Sequence, residues 1–202
     1  MKRSVTISAP TPLPQLQMIL PPDRLREPPP VNLPDGYILR TYRPDDEAAY
    51  IDLMRGAGFA HWNAEAIAAA LEKTLPDGLF LVVHEASGHL AATAQATHNP
   101  APDHPSGGEL GWVAGSAKHA GKGLGLCVCQ AAIGRFLQAG YRRIYLKTDD
   151  FRLPAIKTYL KIGFRPFLHG SDMLDRWRTV CEQLAWPFDA DKWTGGQGER
   201  KE

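Results

Sequence analysis

From Glu109 the chain reads Glu-Leu-Gly-Trp-Val-Ala-Gly-Ser-Ala-Lys-His-Ala-Gly-Lys-Gly-Leu-Gly, a strand pattern that runs into a turn with Gly121, Gly123 and Gly125. An apolar helical pattern leaves at once and continues to about Gln138, where Gly140 stops it. Glycines at such a junction permit positive φ and let the backbone come close to a ligand. The first amides of the helix have no intrahelical acceptor, and together with the helix dipole they attract an anion. Lys118 and Lys122 add positive charge. This construction suits a pyrophosphate, although a tight structural turn would use the same glycines. Two nucleotide folds are excluded. No Gly-Lys-Ser/Thr ending marks a nucleoside triphosphate loop, and the spacing is not the G-x-G-x-x-G that opens a βαβ unit.

Around this junction the pattern predicts alternating elements. A strand over Tyr37–Tyr42 leads into a helix from Pro44-Asp45-Asp46 to about Arg55, ended by Gly56 and Gly58. Asn63 caps a second helix, with Ile67, Ala70 and Leu71 on one face. Strands follow at Leu79–Glu85 and Leu90–Ala96, joined by a Ser87-Gly88 hairpin, and a proline-rich loop spans 98–108. Beyond the glycine turn and its helix come a strand at Arg142–Thr148, a helix at Pro154–Ile162, a strand at Phe164–Leu168 and a helix at Asp172–Leu184. The order β-α-α-β-β-β-α-β-α-β calls for a mixed sheet with helices on both faces. Residues 1–36 are rich in proline, including Pro28-Pro29-Pro30, and read as an extended arm in which Gln15–Leu20 adds an edge strand.

Composition narrows the partners. A formal net charge of +1 lacks the basic excess that drives non-specific binding to nucleic acid or an anionic membrane. The apolar run from Leu124 to Ile133 is too short to span a bilayer, and Pro10, Pro12 and Pro14 break up the N-terminus before a signal peptide can form. Three cysteines, Cys127, Cys129 and Cys181, suit buried reduced thiols better than a disulfide framework or a metal site. The expected location is cytoplasmic, and no metal is expected.

Downstream, Ala155-Ile-Lys-Thr-Tyr159-Leu-Lys-Ile-Gly163-Phe164 resembles the A-x-x-x-Y-x-x-x-G-F signature of the GNAT acetyltransferase family, and the glycine turn resembles that family's R/Q-x-x-G-x-G/A motif. The two occur in the family's order with a strand between them, and the resemblance covers roughly 37–168. The run Thr148–Ala155 is also similar, more loosely, to the acetyltransferase half of mycothiol synthase. The resemblance implies an α/β (mixed α+β) fold with a central mixed, mostly antiparallel twisted sheet. The domain plan is then an arm over 1–36, the acetyltransferase domain over 37–170, and a C-terminal helix and polar tail over 171–202.

The resemblance also implies a cosubstrate, acetyl-coenzyme A, and an acceptor that is a small-molecule amine, with transfer in a ternary complex by a monomer or homodimer. Its phosphates would meet the turn Ala120, Gly121, Lys122, Gly123, Leu124 and Gly125, and its pantetheine arm the backbone of Val113 and Gly115. Two positions depart from the family. Ala120 replaces the usual Arg or Gln, and Arg152 stands where many members have Asn, either reaching a phosphate in its place or lying on the surface. Tyr159 matches the tyrosine that protonates the departing thiolate. Glu109 sits at the offset of a glutamate that deprotonates the amine through water, or is a solvated charge at a loop end. His119, His98 and Asp149 are reserve candidates. Tyr42, Phe59, His61 and Trp62 are expected to line the acceptor pocket or to pack in the core. A coenzyme A-binding module with little catalysis, and an enzyme acting on protein N-termini or lysines, are the competing readings.

Overall fold

Residues 90–98 carry Ala91, Ala92, Ala94 and Ala96, and a strand with so little side-chain bulk lets a helix pack close against it. That strand lies in the interior of the sheet. The computed structural model describes residues 13–195. Eight strands are paired: β1 (Leu16–Ile19), β2 (Tyr37–Thr41), β3 (Thr74–His84), β4 (Leu90–His98), β5 (Gly108–Gly115), β6 (Ile144–Thr148), β7 (Arg165–Leu168) and β8 (Thr194–Gly195). Their order is β2-β3-β4-β5-β6-β1-β7-β8. All pairs are antiparallel except β5–β6 and β7–β8.

Helices cover both faces, as the element order requires. Ala92, Ala94 and Ala96 face one layer, packed with Leu124, Val128, Ala132 and Phe136 of α3 (Leu124–Gln138), Ile156 and Tyr159 of α4 (Leu153–Ile162), and Trp177 of α5 (Met173–Leu184). On the other face Leu79, Leu81 and Val83 pack with Tyr50, Leu53 and Met54 of α1 (Glu47–Gly56) and Ile67 of α2 (Ala64–Lys73). Asn63 caps α2 as expected, its side-chain oxygen accepting the Ala66 amide at 2.8 Å. At the start of α1, residues Pro44–Asp46 form a 3-10 turn, and Asp46 spends its carboxylate on Arg40 through two bonds of 2.6 Å. No helix among the described residues is long and apolar enough to cross a membrane.

The strand expected at an edge near Gln15–Leu20 is β1, and it is interior. It lies between β6 and β7, with Met18 opposite Leu146 on one side and Pro166 on the other. Leu16, Met18 and Leu20 are buried. The physical reason is that β6 runs Ile144-Tyr145-Leu146 with all three residues sealed, so its side away from β5 needs a paired strand rather than solvent. The sheet therefore crosses residue 36, the expected boundary of the arm. Residues 1–12 of that arm and 196–202 of the tail lie outside the described residues.

Candidate active site

Strands β5 and β6 are paired only through Gly108–Ile144 and Glu109–Tyr145. Beyond Glu109 they part, and a pocket of about 710 Å³ opens there. Along β5, the register to β4 steps from Thr93–Ala114 to Gln95–Gly111, so Trp112 and Val113 together oppose one residue of β4. This is a β-bulge, which bends the strand and turns backbone groups out of the ladder. Trp112 takes φ +50, a conformation uncommon outside glycine.

The pocket walls differ in chemistry. Phe59, Trp62 and Trp112 make an aromatic side, with Trp62 and Trp112 ring centroids 4.3 Å apart. The Arg152 guanidinium sits 4.6 Å above the Phe59 ring and donates from Nε to Asp149 Oδ2 at 3.0 Å. Asp149 also accepts from Gln15 Nε2 at 3.0 Å, so the residue just before β1 reaches the pocket. Opposite, Glu109 accepts from Asn99 Nδ2. The Tyr145 hydroxyl donates to the Asn99 carbonyl at 2.6 Å and lies 3.1 Å from Glu109 Oε2, and Lys147 Nζ is 3.9 Å from the same oxygen. Burial first, then the Glu109 charge, pushes the Tyr145 hydroxyl above the usual tyrosine range, so it stays a donor. The pocket-lining Thr97 and Thr148 each bury a hydroxyl that has no partner among the described residues. Such groups are costly unless a ligand or water satisfies them.

Tyr159 lines the same pocket from α4 and is 5% exposed. Burial raises its pKa strongly, Cys129 adds to the shift and Arg152 opposes it, so the hydroxyl keeps its proton at neutral pH. At the far end of β5 the glycine turn is open. Gly121 and Gly123 have φ of +77 and +76, and a Cβ built on either would meet nothing within 4 Å. Among the described residues, none of the amides of Gly121, Lys122, Gly123, Leu124 and Gly125 donates to a backbone carbonyl. Five unspent donors at the N-terminus of the 15-residue α3 form a cradle that fits a pyrophosphate.

The family model described as Acetyltransferase (GNAT) family matches residues 38–164. The chain belongs to this family. It is similar to the mycothiol acetyltransferase of Nocardia farcinica, with 30% identity over 142 residues covering 66% of this chain and 47% of that relative. It is also similar to the mycothiol acetyltransferase of Acidothermus cellulolyticus, with 29% identity over 163 residues covering 72% and 49%. The chain spans about half the length of these curated relatives. Among solved structures, a GCN5-related N-acetyltransferase from Sphaerobacter thermophilus shares the fold, with a TM-score of 0.60, 23% identity, and 76% of this chain on 49% of that one.

Set against the GNAT motifs, the residues named from sequence separate into three groups. Glu109, Val113, Arg152, Tyr159, Phe59 and Trp62 come together around the pocket. The glycine turn lies at the start of α3 with its amides free. Tyr42 and His61 do not line the pocket: Tyr42 packs on Tyr50 at 5.8 Å between centroids, and His61 is exposed in the turn before α2. Of the reserve candidates only Asp149 is at the pocket. His98 bonds the Tyr141 hydroxyl at 2.6 Å, and His119 bonds that of Tyr37 at 2.8 Å. Unforeseen members of the site are Trp112, Asn99, Tyr145, Lys147 and Gln15. Trp112 alone carried a signal, as a large aromatic inside the strand that ends in the glycine turn.

Proposed function

We propose that the protein is an acetyl-coenzyme A-dependent N-acetyltransferase acting on the primary amine of a small molecule, by direct transfer with both substrates bound. One observation carries the reading: a carboxylate, a strand bulge and a protonated buried tyrosine border one pocket, at the point where two parallel strands separate. Acetyl-coenzyme A would supply an activated acyl group. The amides at 121–125 would hold its pyrophosphate, with Lys122 adding charge. The bulge at Trp112-Val113 offers the Val113 amide to the acyl oxygen, where a fixed donor stabilises charge that grows during attack. Glu109, steadied by Asn99 and Tyr145, takes the amine's proton through water. Tyr159 gives its proton to the departing sulfur. The bounded pocket and its aromatic side favour a compact acceptor over a protein chain.

Thiol release measured across a panel of amines, for the parent chain and two variants, tests this. Tyr159→Phe keeps the packing ring and removes the acid, so turnover falls about 10²–10⁴-fold while stability and coenzyme A affinity change little. Glu109→Gln keeps the shape of the site and removes the base, with a loss of similar size. Full turnover by both variants, under conditions where chemistry limits the rate, overturns the assignment.

A further inference from the structure

Beside the glycine turn lies a second set of groups that the transfer chemistry does not use. His119 closes the 3-10 turn Ala117–His119 that leads into Ala120. Its ring centroid is 5.0 Å from that of His84, at the end of β3, and 5.6 Å from that of Tyr37, at the start of β2. Tyr37 and His84 are 5.2 Å apart, so the three rings form a closed triangle. Lys122 Nζ stands 6.0 Å from the Tyr37 centroid. The groups that face the triangle are Tyr37 on β2, His84 on β3, His89 in the hairpin, and Lys118, His119 and Lys122 in the turn. None of these histidines or lysines forms an ion pair with a carboxylate among the described residues.

The hydrogen bonds fix which ring atoms remain for a ligand. His119 Nδ1 is taken by the Tyr37 hydroxyl at 2.8 Å, and His84 Nδ1 by the Ser87 hydroxyl at 2.8 Å. With Tyr37 as donor, the His119 proton sits on Nε2 and points away from that bond, ready to donate even in the neutral ring. Protonation adds charge without displacing either hydroxyl, because each can turn and accept instead. Burial lowers the His119 pKa, and the neighbouring His84, His89, Lys122 and Lys118 lower it further. An anion placed among these groups relieves that repulsion.

We infer that the Tyr37–His84–His119 triangle, with Lys118 and with Lys122 shared between it and the amide cradle, is a second phosphate subsite that recognises the 3′-phosphate of coenzyme A beside its pyrophosphate. The inference rests on the proposed use of acetyl-coenzyme A. The amide cradle has no charge that titrates, so it holds the pyrophosphate at any working pH. The His119 ring can take up a proton, and a bound anion offsets the burial and the basic neighbours that hold its pKa below the usual histidine value. The pull of a protonated His119 on a phosphate monoester grows as pH falls from 8 to 6, and weakens again below about 6 as the monoester dianion takes up a proton.

Calorimetry on the full chain with coenzyme A and with 3′-dephospho-coenzyme A, at pH 6 and pH 8, tests the subsite. The parent chain is expected to prefer coenzyme A about tenfold at pH 6, and by about threefold at pH 8, where the His119 ring is neutral. The double variant His84→Gln, His119→Gln keeps the affinity for the dephospho form and loses the pH-dependent part of the preference. Equal affinity for the two ligands in the parent chain at pH 6 overturns the subsite, and this outcome needs no variant to fold. A double variant that weakens both ligands alike also overturns it, because the rings then only support the turn. Failure of the parent chain to bind either ligand overturns the acetyl-coenzyme A reading itself.

Discussion

On the proposed reading, Trp112 joins backbone conformation to acceptor recognition at a single residue. A side chain with φ near +50 costs roughly 1–2 kcal/mol relative to the ordinary regions, and a strand replaces such a residue with glycine unless the side chain does something. Here the indole is 39% exposed and closes the aromatic side of the pocket against Trp62 and Phe59. Two substitutions separate strain from function. Trp112→Ala and Trp112→Gly both remove the indole, so both are expected to raise the acceptor KM about tenfold or more with a smaller change in kcat. Only glycine relieves the φ strain, so it should be more stable than alanine by about 1 kcal/mol in chemical denaturation. Equal stability of the two would show that the bulge relaxes without strain. An unchanged KM would remove Trp112 from the acceptor site. The same residue marks the limit of what its sequence context reveals. A tryptophan between Gly111 and Val113 shows a large aromatic in the strand but not where it points, because that follows from a register step against β4. Asn99 and Tyr145 are similar: they meet the Glu109 carboxylate only because β5 pairs with β4 on one side and in parallel with β6 on the other, and the second pairing joins positions far apart in the chain. Tyr159 and the glycines were readable because their spacing is local.

At the scale of elements, β1 shows the difference between a short apolar run and its place in the sheet. Leu16-Gln17-Met18-Ile19 between prolines looks peripheral, yet Met18 is fully buried with strands on both sides. Met18→Ala should therefore cost about 2–5 kcal/mol, the range for truncating a sealed core side chain. Leu13, five residues earlier and 70% exposed, provides the contrast. Leu13→Ala is expected to lie within about 0.5 kcal/mol of the parent. Urea titrations of the two variants decide the matter, and a Met18→Ala cost below 1 kcal/mol would mean that β1 contributes little to the sheet. The elements from β2 to β7 were legible because each carries its own period, cap or glycine stop, as Asn63 does for α2. The place of β1 was not, since its partners lie more than a hundred residues downstream and the intervening prolines suggest a detached arm. The pocket repeats this lesson. Gln15 reaches Asp149 only because β1 is threaded between β6 and β7, so the arm's role at the site follows from topology.

The acid stability of the whole molecule should turn on one sealed histidine that ties several elements together. His104 has no exposed surface and stacks on Tyr145 at 3.9 Å, with Phe167 of β7 close by at 4.8 Å. Its Nδ1 accepts from Arg143 Nε at 3.1 Å, and its Nε2 donates to Gln17 Oε1 of β1 at 2.7 Å. The neutral ring satisfies both bonds. A proton on Nδ1 would point at a guanidinium in a dry site, so burial first and Arg143 second push the pKa down from 6.5 to about 4. The unfolded chain takes up this proton near pH 6.5 and the folded chain only near pH 4. Below 6.5 the unfolded state therefore binds more protons, and stability falls with pH until both states are protonated. The contribution is complete above about pH 6.5, is lost progressively between 6.5 and 4, and amounts to on the order of 3 kcal/mol at about 1.4 kcal/mol per unit. His104→Gln retains a donor and an acceptor without a titrating ring. Its absolute stability at pH 7 will be lower, because the stacking on Tyr145 is lost, but its stability should change much less between pH 6.5 and 4.5 than that of the parent. The comparison is therefore one of slopes, measured as denaturant midpoints at several pH values. If the parent and His104→Gln lose stability in parallel over this window, His104 is not the residue that couples the sheet to acid, and the carboxylates must account for the decline.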